Sequence, residues 1–363
     1  MTTAAAGTPS RSYRVVHGPM EIAGQMSCLA EGLRGRGHSV AAVNYFPSYL
    51  DYPGTSTIDL GSLPVGERLA ASRRVAAELL QTKPDLMHYY FGMTLALDFS
   101  DLAPAIDLGI SPVMHHFGSD VRRFSLSRRW SPDMPVKDPD EDGIVRRLDI
   151  LGSHIRDVVA HDVEMYELVK DFYERVHFIP SAIRLEDFEV GRHRVAGPLR
   201  VVHAPTSRAV KGSDAIIESA ARVCERMGAD LVLIEGMSHE QAKRAYEEAD
   251  VVIDQILAGG YGLVSIEAMA LGKTAVCWIS DWRRQAYPPE LPVVSADRHN
   301  LEFVLTGLLS DRERLAEIGS SGRRYVEKYH SVDSVIPRVE RVYDIASGHA
   351  QVESGRGVGR WSW

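Results

Sequence analysis

Short runs of aliphatic and β-branched residues alternate with helix-like stretches along nearly the whole chain, and this rhythm limits the fold more than any single motif. The runs are Tyr13–Val16, Ser39–Asn44, Asp85–Tyr90, Ser111–Phe117, Asp157–His161 and Val176–Pro180. After a break come "LRVVHAP", "ADLVLIEG", "DVVIDQ" and "KTAVCWI". Helical patterns such as Arg68–Gln81 and Met165–Phe172 lie between them. Strands alternating with helices imply parallel sheets covered on both faces. The break, "SAIRLEDFEVGRHRVAGP", is polar and lacks periodicity, so it reads as a linker. The expected fold class is therefore α/β, two Rossmann-like domains facing across a cleft. Ligands of such sheets bind beyond the carboxyl ends of strands, so the loops just after strands are where chemistry is expected.

Length and composition agree. A chain of 363 residues exceeds one ordinary core. Its 45% hydrophobic and 25% charged residues are those of a soluble globular protein. A net charge of -8 argues against a general nucleic-acid binder. Three widely spaced cysteines, Cys28, Cys224 and Cys277, suggest reduced thiols rather than a disulfide frame or a metal cluster. No apolar run approaches a membrane span, and "MTTAAAGTPSRS" lacks a signal-like apolar core. The expectation is a cytoplasmic protein without integral membrane association, with a disordered leader over 1–11.

One stretch carries the chemistry. "GGYGLVSIEAMALGKT", Gly259–Thr274, begins like a dinucleotide fingerprint and ends like a P-loop, yet completes neither. Ser265 stands where the fingerprint needs its third glycine, and Glu267 stands where a P-loop needs its first. Gly259, Gly260 and Gly262 permit positive φ and close approach of a ligand. A helix start just after them favours an anion such as a diphosphate. Glu267, one turn in, can accept two hydrogen bonds from a vicinal diol such as a ribose. Together they describe a nucleotide held by phosphates and sugar. The plainer reading is a tight turn with a surface glutamate.

With these residues in view, "GGYGLVSIEAMALGKTAV" resembles the signature of GT-B glycosyltransferases of family 4: Glu-Gly-x-Gly-Leu, then Glu-Ala-Met-Ala-x-Gly-x-Pro-Val. "VVHAPTSRAVKGSDAIIESAARV" resembles the strand, basic loop and helix that open the family's donor domain. "FIPSAIRLEDF" is similar to its interdomain turn, and "IGSSGRRYVEKYHS" to its closing helix. The resemblance runs from about Val15 to Ala346 and is looser in the first half. It implies an acceptor-side domain over 12–184 and a donor domain over 185–330. A helix over 331–347 would return to the first domain, and a tail would occupy 348–363.

The resemblance also implies roles. Glu267 would hold the ribose, with Gly259, Gly260, Tyr261, Gly262, Leu263 and Val264 around the donor. Lys211 matches the family lysine that neutralises the leaving diphosphate. Thr206 occupies the arginine position, so Arg208 is the replacement expected, against the alternative of a solvated basic turn. "MHHFGSDVR" resembles the family's His-Gly-Ser-Asp-x-Arg segment with Phe117 inserted. His116, or His115, would line the donor sugar, and Asp120 either joins the donor site or caps a turn. Gly18, in "HGPMEIAGQ", would lie near the donor phosphates, and Glu21 either joins it or favours a helix start. Gly259 departs from the family, which has a glutamate there that touches the transferred sugar.

The expected activity is that of a retaining glycosyltransferase taking a nucleotide-diphosphate sugar, UDP- or GDP-linked, to a small soluble or glycan acceptor. No metal and no cofactor beyond that co-substrate is expected. Two alternatives stay open: a transfer-deficient module that binds a nucleotide or glycan, and an enzyme coupling a cyclitol or other unusual partner.

Overall fold

The computed structural model describes residues 11–47, 52, 54–191 and 196–351. The expected leader, apart from Arg11, and the tail beyond residue 351 lie outside these residues. The chain divides into two compact units. The described residues up to Arg122, within Asp140–Ala182 and from Val332 form the first; those within Arg123–Pro139 and Ile183–Ser331 form the second. Residues 123–139, inside the span expected for the first domain, thus cluster with the second unit.

The first unit holds seven parallel strands: β1 Arg14–Gly18, β2 Ser39–Asn44, β3 Ser56–Thr57, β4 Leu86–Tyr90, β5 Ser111–His115, β6 Asp157–Ala160 and β7 Arg175–Phe178. Their order is β3-β2-β1-β4-β5-β6-β7. β4 and β6 are buried along their whole length, as parallel strands covered on both faces must be. Val15, Tyr90, Val113 and Val159 share a core with Leu29 and Leu33 of the helix Gln25–Gly35. Ile336, Val339 and Tyr343 of the helix Val332–Ala346 complete it, so the last helix is structurally part of the first unit.

The second unit has four parallel strands, β8 Arg200–His203, β9 Asp230–Leu233, β10 Val251–Ile253 and β11 Thr274–Val276, ordered β11-β10-β8-β9. Successive residues of these strands face opposite ways. Val202, Val252 and Ala275 meet Ile266, Met269 and Tyr325 on one side. Val201, Val251 and Val276 meet Ile216, Val223 and Leu305 on the other.

All ten strands expected from the sequence are present, most of them trimmed at an end. The eleventh, β3, is a two-residue exposed pairing with too little pattern to be read. In the second unit the connection from β8 leads to β9 on one side, while that from β10 leads to β11 on the other. The loops after β8 and β10 therefore part at the point where open α/β sheets bind ligands.

Candidate functional site

The loop after β8 runs into the short helix Arg208–Lys211, and the loop after β10 runs from Asp254 to Gly262. They are stitched together by the Ile256 N–H, which donates to the Lys211 carbonyl at 3.0 Å. Lys211 Nζ forms a tight ion pair with Asp254 Oδ1. The lysine side chain is 13% exposed and the aspartate side chain fully buried. Asp254 Oδ2 accepts from the Gly262 N–H at 2.8 Å, the Ser265 hydroxyl at 2.8 Å and the Ser265 N–H at 3.3 Å. Burial alone would raise the Asp254 pKa, but Lys211, Ser265 and the Gly262 amide outweigh it and hold the carboxyl below its ordinary value. A side chain at 262 would crowd this carboxylate, since a Cβ there would lie 3.2 Å from Oδ2.

The helix Leu263–Ala270 starts at this point. An α-helix leaves its first-turn N–H groups without partners inside the helix. Leu263 and Val264, half-buried, supply the next two of these after Gly262. Glu267 lies one turn in, with its side chain 12% exposed. Its Oε1 is 2.7 Å from His239 Nε2. His239 opens the helix His239–Glu247, whose start is fixed by a reciprocal Ser238–Gln241 capping box. The bond to Glu267 raises the His239 pKa against the opposing effect of burial. The carboxylate is thus pinned at one oxygen on a half-buried surface, which is not the geometry of a glutamate waving in solvent.

Gly259 has φ 69, a conformation that L residues rarely adopt. A Cβ there would lie 3.2 Å from the Ser280 side chain and 3.3 Å from Ser131 Oγ. A side chain at this position, such as the glutamate of the resembling family, would be strained by the backbone and crowded by both serines. The Gly260 carbonyl accepts from Gln255 Nε2 at 2.6 Å. Tyr261 is turned into the unit, its hydroxyl 3.0 Å from His330 Nε2 and 3.2 Å from the Tyr325 hydroxyl. Arg208, its side chain 48% exposed, is held by Glu235 at 2.6 and 3.0 Å and by Asp214 at 3.3 Å. Lys211, Gly262, Leu263, Val264 and Glu267 therefore come together on two adjoining loops and one helix, while Arg208 stands on the outside of the same short helix.

In the first unit the expected residues are placed differently. His116 is fully buried. Its Nδ1 is 2.6 Å from Asp120 Oδ2 and its Nε2 2.8 Å from the Tyr173 hydroxyl. Neither ring nitrogen is left for a ligand, so a donor-lining role does not fit this side chain. Asp120 Oδ1 accepts from the Phe117 and Gly118 N–H groups at 3.1 and 2.8 Å, which makes the residue a buried turn cap. Burial would raise its pKa, but His116 and the two amides bring it below the usual value. Gly18 ends β1 and lies against the Val43 carbonyl and Leu95. Glu21 accepts from Met26 and Ser27 N–H at 3.1 and 2.8 Å, the helix-start role; burial pushes its pKa up to about 7.

Asp254 and His239 were not singled out from the sequence, and Ser265 only as the residue standing where a third glycine was expected. Asp254 had a legible signal, a carboxylate directly after the apolar run "VVI", where charged residues are rarely buried unless paired. His239 had none, because its contact with Glu267 crosses helices far apart in the chain.

No family model and no curated protein matches the sequence. Solved structures do match over most of the chain. Sucrose-phosphate synthase from Thermosynechococcus elongatus superposes with a TM-score of 0.66 at 13% identity, covering 93% of this chain and 100% of that one. Anabaena HepE, in complex with UDP and glucose, gives 0.62 at 12% identity over 90% and 98%. A glycosyltransferase from Rickettsia africae gives 0.60 at 13% identity over 93% and 100%. The fold is thus that of GT-B glycosyltransferases, with two Rossmann-like units, as the alternation of strands and helices implies.

Proposed function

We propose that the protein transfers a sugar from a nucleotide-diphosphate donor to an acceptor with retention of anomeric configuration. The observation that carries this reading is the grouping of Lys211, the glycine-led helix start at Gly262–Val264 and Glu267 where the loops after β8 and β10 part. The helix start and Lys211 suit a diphosphate. Glu267, steadied at one oxygen by His239, keeps its second oxygen for a ribose diol. As the glycosidic bond breaks, negative charge builds on the leaving phosphate. A fixed lysine and helix dipole favour that state over the bound ground state. HepE, which shares the fold, is seen with UDP and glucose, and this supports a UDP-sugar as donor. No helix among the described residues is long and apolar enough to cross a membrane, which suits a small soluble or glycan acceptor.

Gly259 favours one second reading, a nucleotide-binding module without transfer, because the position that grips the sugar in the resembling family is bare. Calorimetry with UDP, GDP, ADP and dTDP, followed by donor turnover, separates the two. UDP or GDP should bind, Glu267→Ala should weaken that binding about tenfold or more, and the matching nucleotide-sugar should be consumed. Binding without turnover would leave the module; no binding by any of the four would end both readings.

A further inference from the structure

We propose that Asp254 is a resident anion of the phosphate subsite, positioning Lys211 and the helix start while the donor is absent and competing with the donor diphosphate for Lys211. This rests on the functional reading above. Three of the four contacts to the Asp254 carboxylate come from the start of the helix Leu263–Ala270, and the fourth is Lys211. Lys211 is also a group that a diphosphate would use there, beside the Leu263 and Val264 N–H groups of the same helix start. The carboxylate is the interior member of the set, fixed at the end of β10, where its own N–H donates to the Val276 carbonyl at 2.9 Å. Its ionised form is the favoured one, as the lowered pKa agrees.

The two partners differ in freedom. Asp254 is fully buried on a short side chain, whereas the long Lys211 side chain keeps an exposed fraction. A diphosphate carries more charge and more acceptor oxygens than one carboxylate, so it can draw Lys211 outward while Asp254 stays on the amides. The apparent affinity for the anion is then reduced by the fraction of molecules in which Lys211 is committed to Asp254. Asp254→Asn keeps the shape and one acceptor oxygen for Gly262 and Ser265 but removes the charge that holds the lysine.

The test is titration calorimetry of wild type, Asp254→Asn and Ser265→Ala with UDP and, separately, inorganic pyrophosphate. Asp254→Asn should bind both on the order of tenfold more tightly than wild type, although its melting temperature falls. Donor turnover should show a lower KM together with a lower kcat, because the tighter diphosphate leaves more slowly. A merely structural aspartate would weaken binding along with stability. Should Asp254→Asn fail to fold, Ser265→Ala, which keeps the charge but removes one donor and leaves the carboxylate to lean more on Lys211, should weaken pyrophosphate binding about twofold to threefold. Unchanged or weaker binding in folded Asp254→Asn, or unchanged or tighter binding in Ser265→Ala, with wild type binding UDP normally, overturns the role of Asp254 alone. Binding by none of the proteins overturns the functional reading as well.

Discussion

His116 directly follows a strand in the first unit, Lys211 closes the short helix that follows one in the second, and both pair with an aspartate, yet their surroundings differ. His116 is enclosed, with Asp120 on one nitrogen and Tyr173 on the other. Lys211 pairs with Asp254 on one side and keeps an exposed edge on the other. A strand-end ionisable group becomes a binding element only when its internal partner leaves part of it unsatisfied. Around His116 the first unit closes its polar groups into the fold, whereas around Lys211 the second leaves an exposed edge.

The largest effect that would break this contrast concerns Asp120. Removing a buried carboxylate leaves the groups it satisfied, here His116 Nδ1 and the Phe117 and Gly118 N–H groups, without a partner, which costs roughly 3 kcal/mol or more in all. Asp120→Ala should lower stability to that extent in urea unfolding of the full chain. The folded fraction should retain its affinity for UDP. A variant of normal stability with impaired nucleotide binding would return Asp120 and His116 to the donor site.

Next in size is the response to acid. Burial holds His17, His88 and His115 below the ordinary histidine range, His88 at about 3. Unfolding frees all three to take up protons below about pH 6.5. Glu21 acts oppositely, since its folded value of about 7 lets the native state hold a proton that the unfolded chain releases above about 4.5. With His203, lowered by burial in the same way, four histidines stand against Glu21 and Asp101, whose carboxyls burial raises, and leave about two more protons on the unfolded chain between pH 6.5 and 4.5. Stability should therefore fall with falling pH by up to ~3 kcal/mol per unit in that window. Urea midpoints at pH 7.0, 6.0 and 5.5 measure it. A flat profile would mean that the first unit does not keep its histidines neutral.

This contrast was only half legible in the sequence. Strands were readable because Val, Ile and Leu runs are buried on both faces, and the crevice followed from parallel topology. Glu267 was marked out by the glycine loop and helix around it, and Lys211 by its match to the basic loop of the resembling family. The enclosure of His116 was not legible because a strand-end histidine looks the same whether its nitrogens face a ligand or Tyr173, which lies far along the chain. Asp254 escaped because its partners, Lys211 and Ser265, are brought to it by two separate loops. Local chemistry can be read from spacing; satisfaction of a buried group depends on tertiary neighbours.

On the second unit the contrast is sharpened by Lys211→Ala. Loss of one preorganised positive group at a leaving phosphate should slow transfer on the order of 10²-fold at saturating donor. Asp254 then keeps only the helix-start donors, so stability falls too, and rates must be read well below the melting temperature. A rate within about twofold of wild type would place the developing charge elsewhere.

The smallest effect belongs to Arg208, the group that lies between the two patterns. It carries two ion pairs, with Glu235 and Asp214, but all three side chains are substantially exposed. Exposed pairs are weak and screened, so Glu235 can release the guanidinium to a phosphate at little cost. Arg208→Ala should leave the melting temperature unchanged and lower kcat/KM by about threefold to tenfold, the scale of one solvent-exposed charge-assisted contact. Glu235→Gln, which removes the competing partner, should move kcat/KM the other way. If neither variant alters kcat/KM, Arg208 is a surface ion pair, and Lys211 with the helix start alone faces the diphosphate.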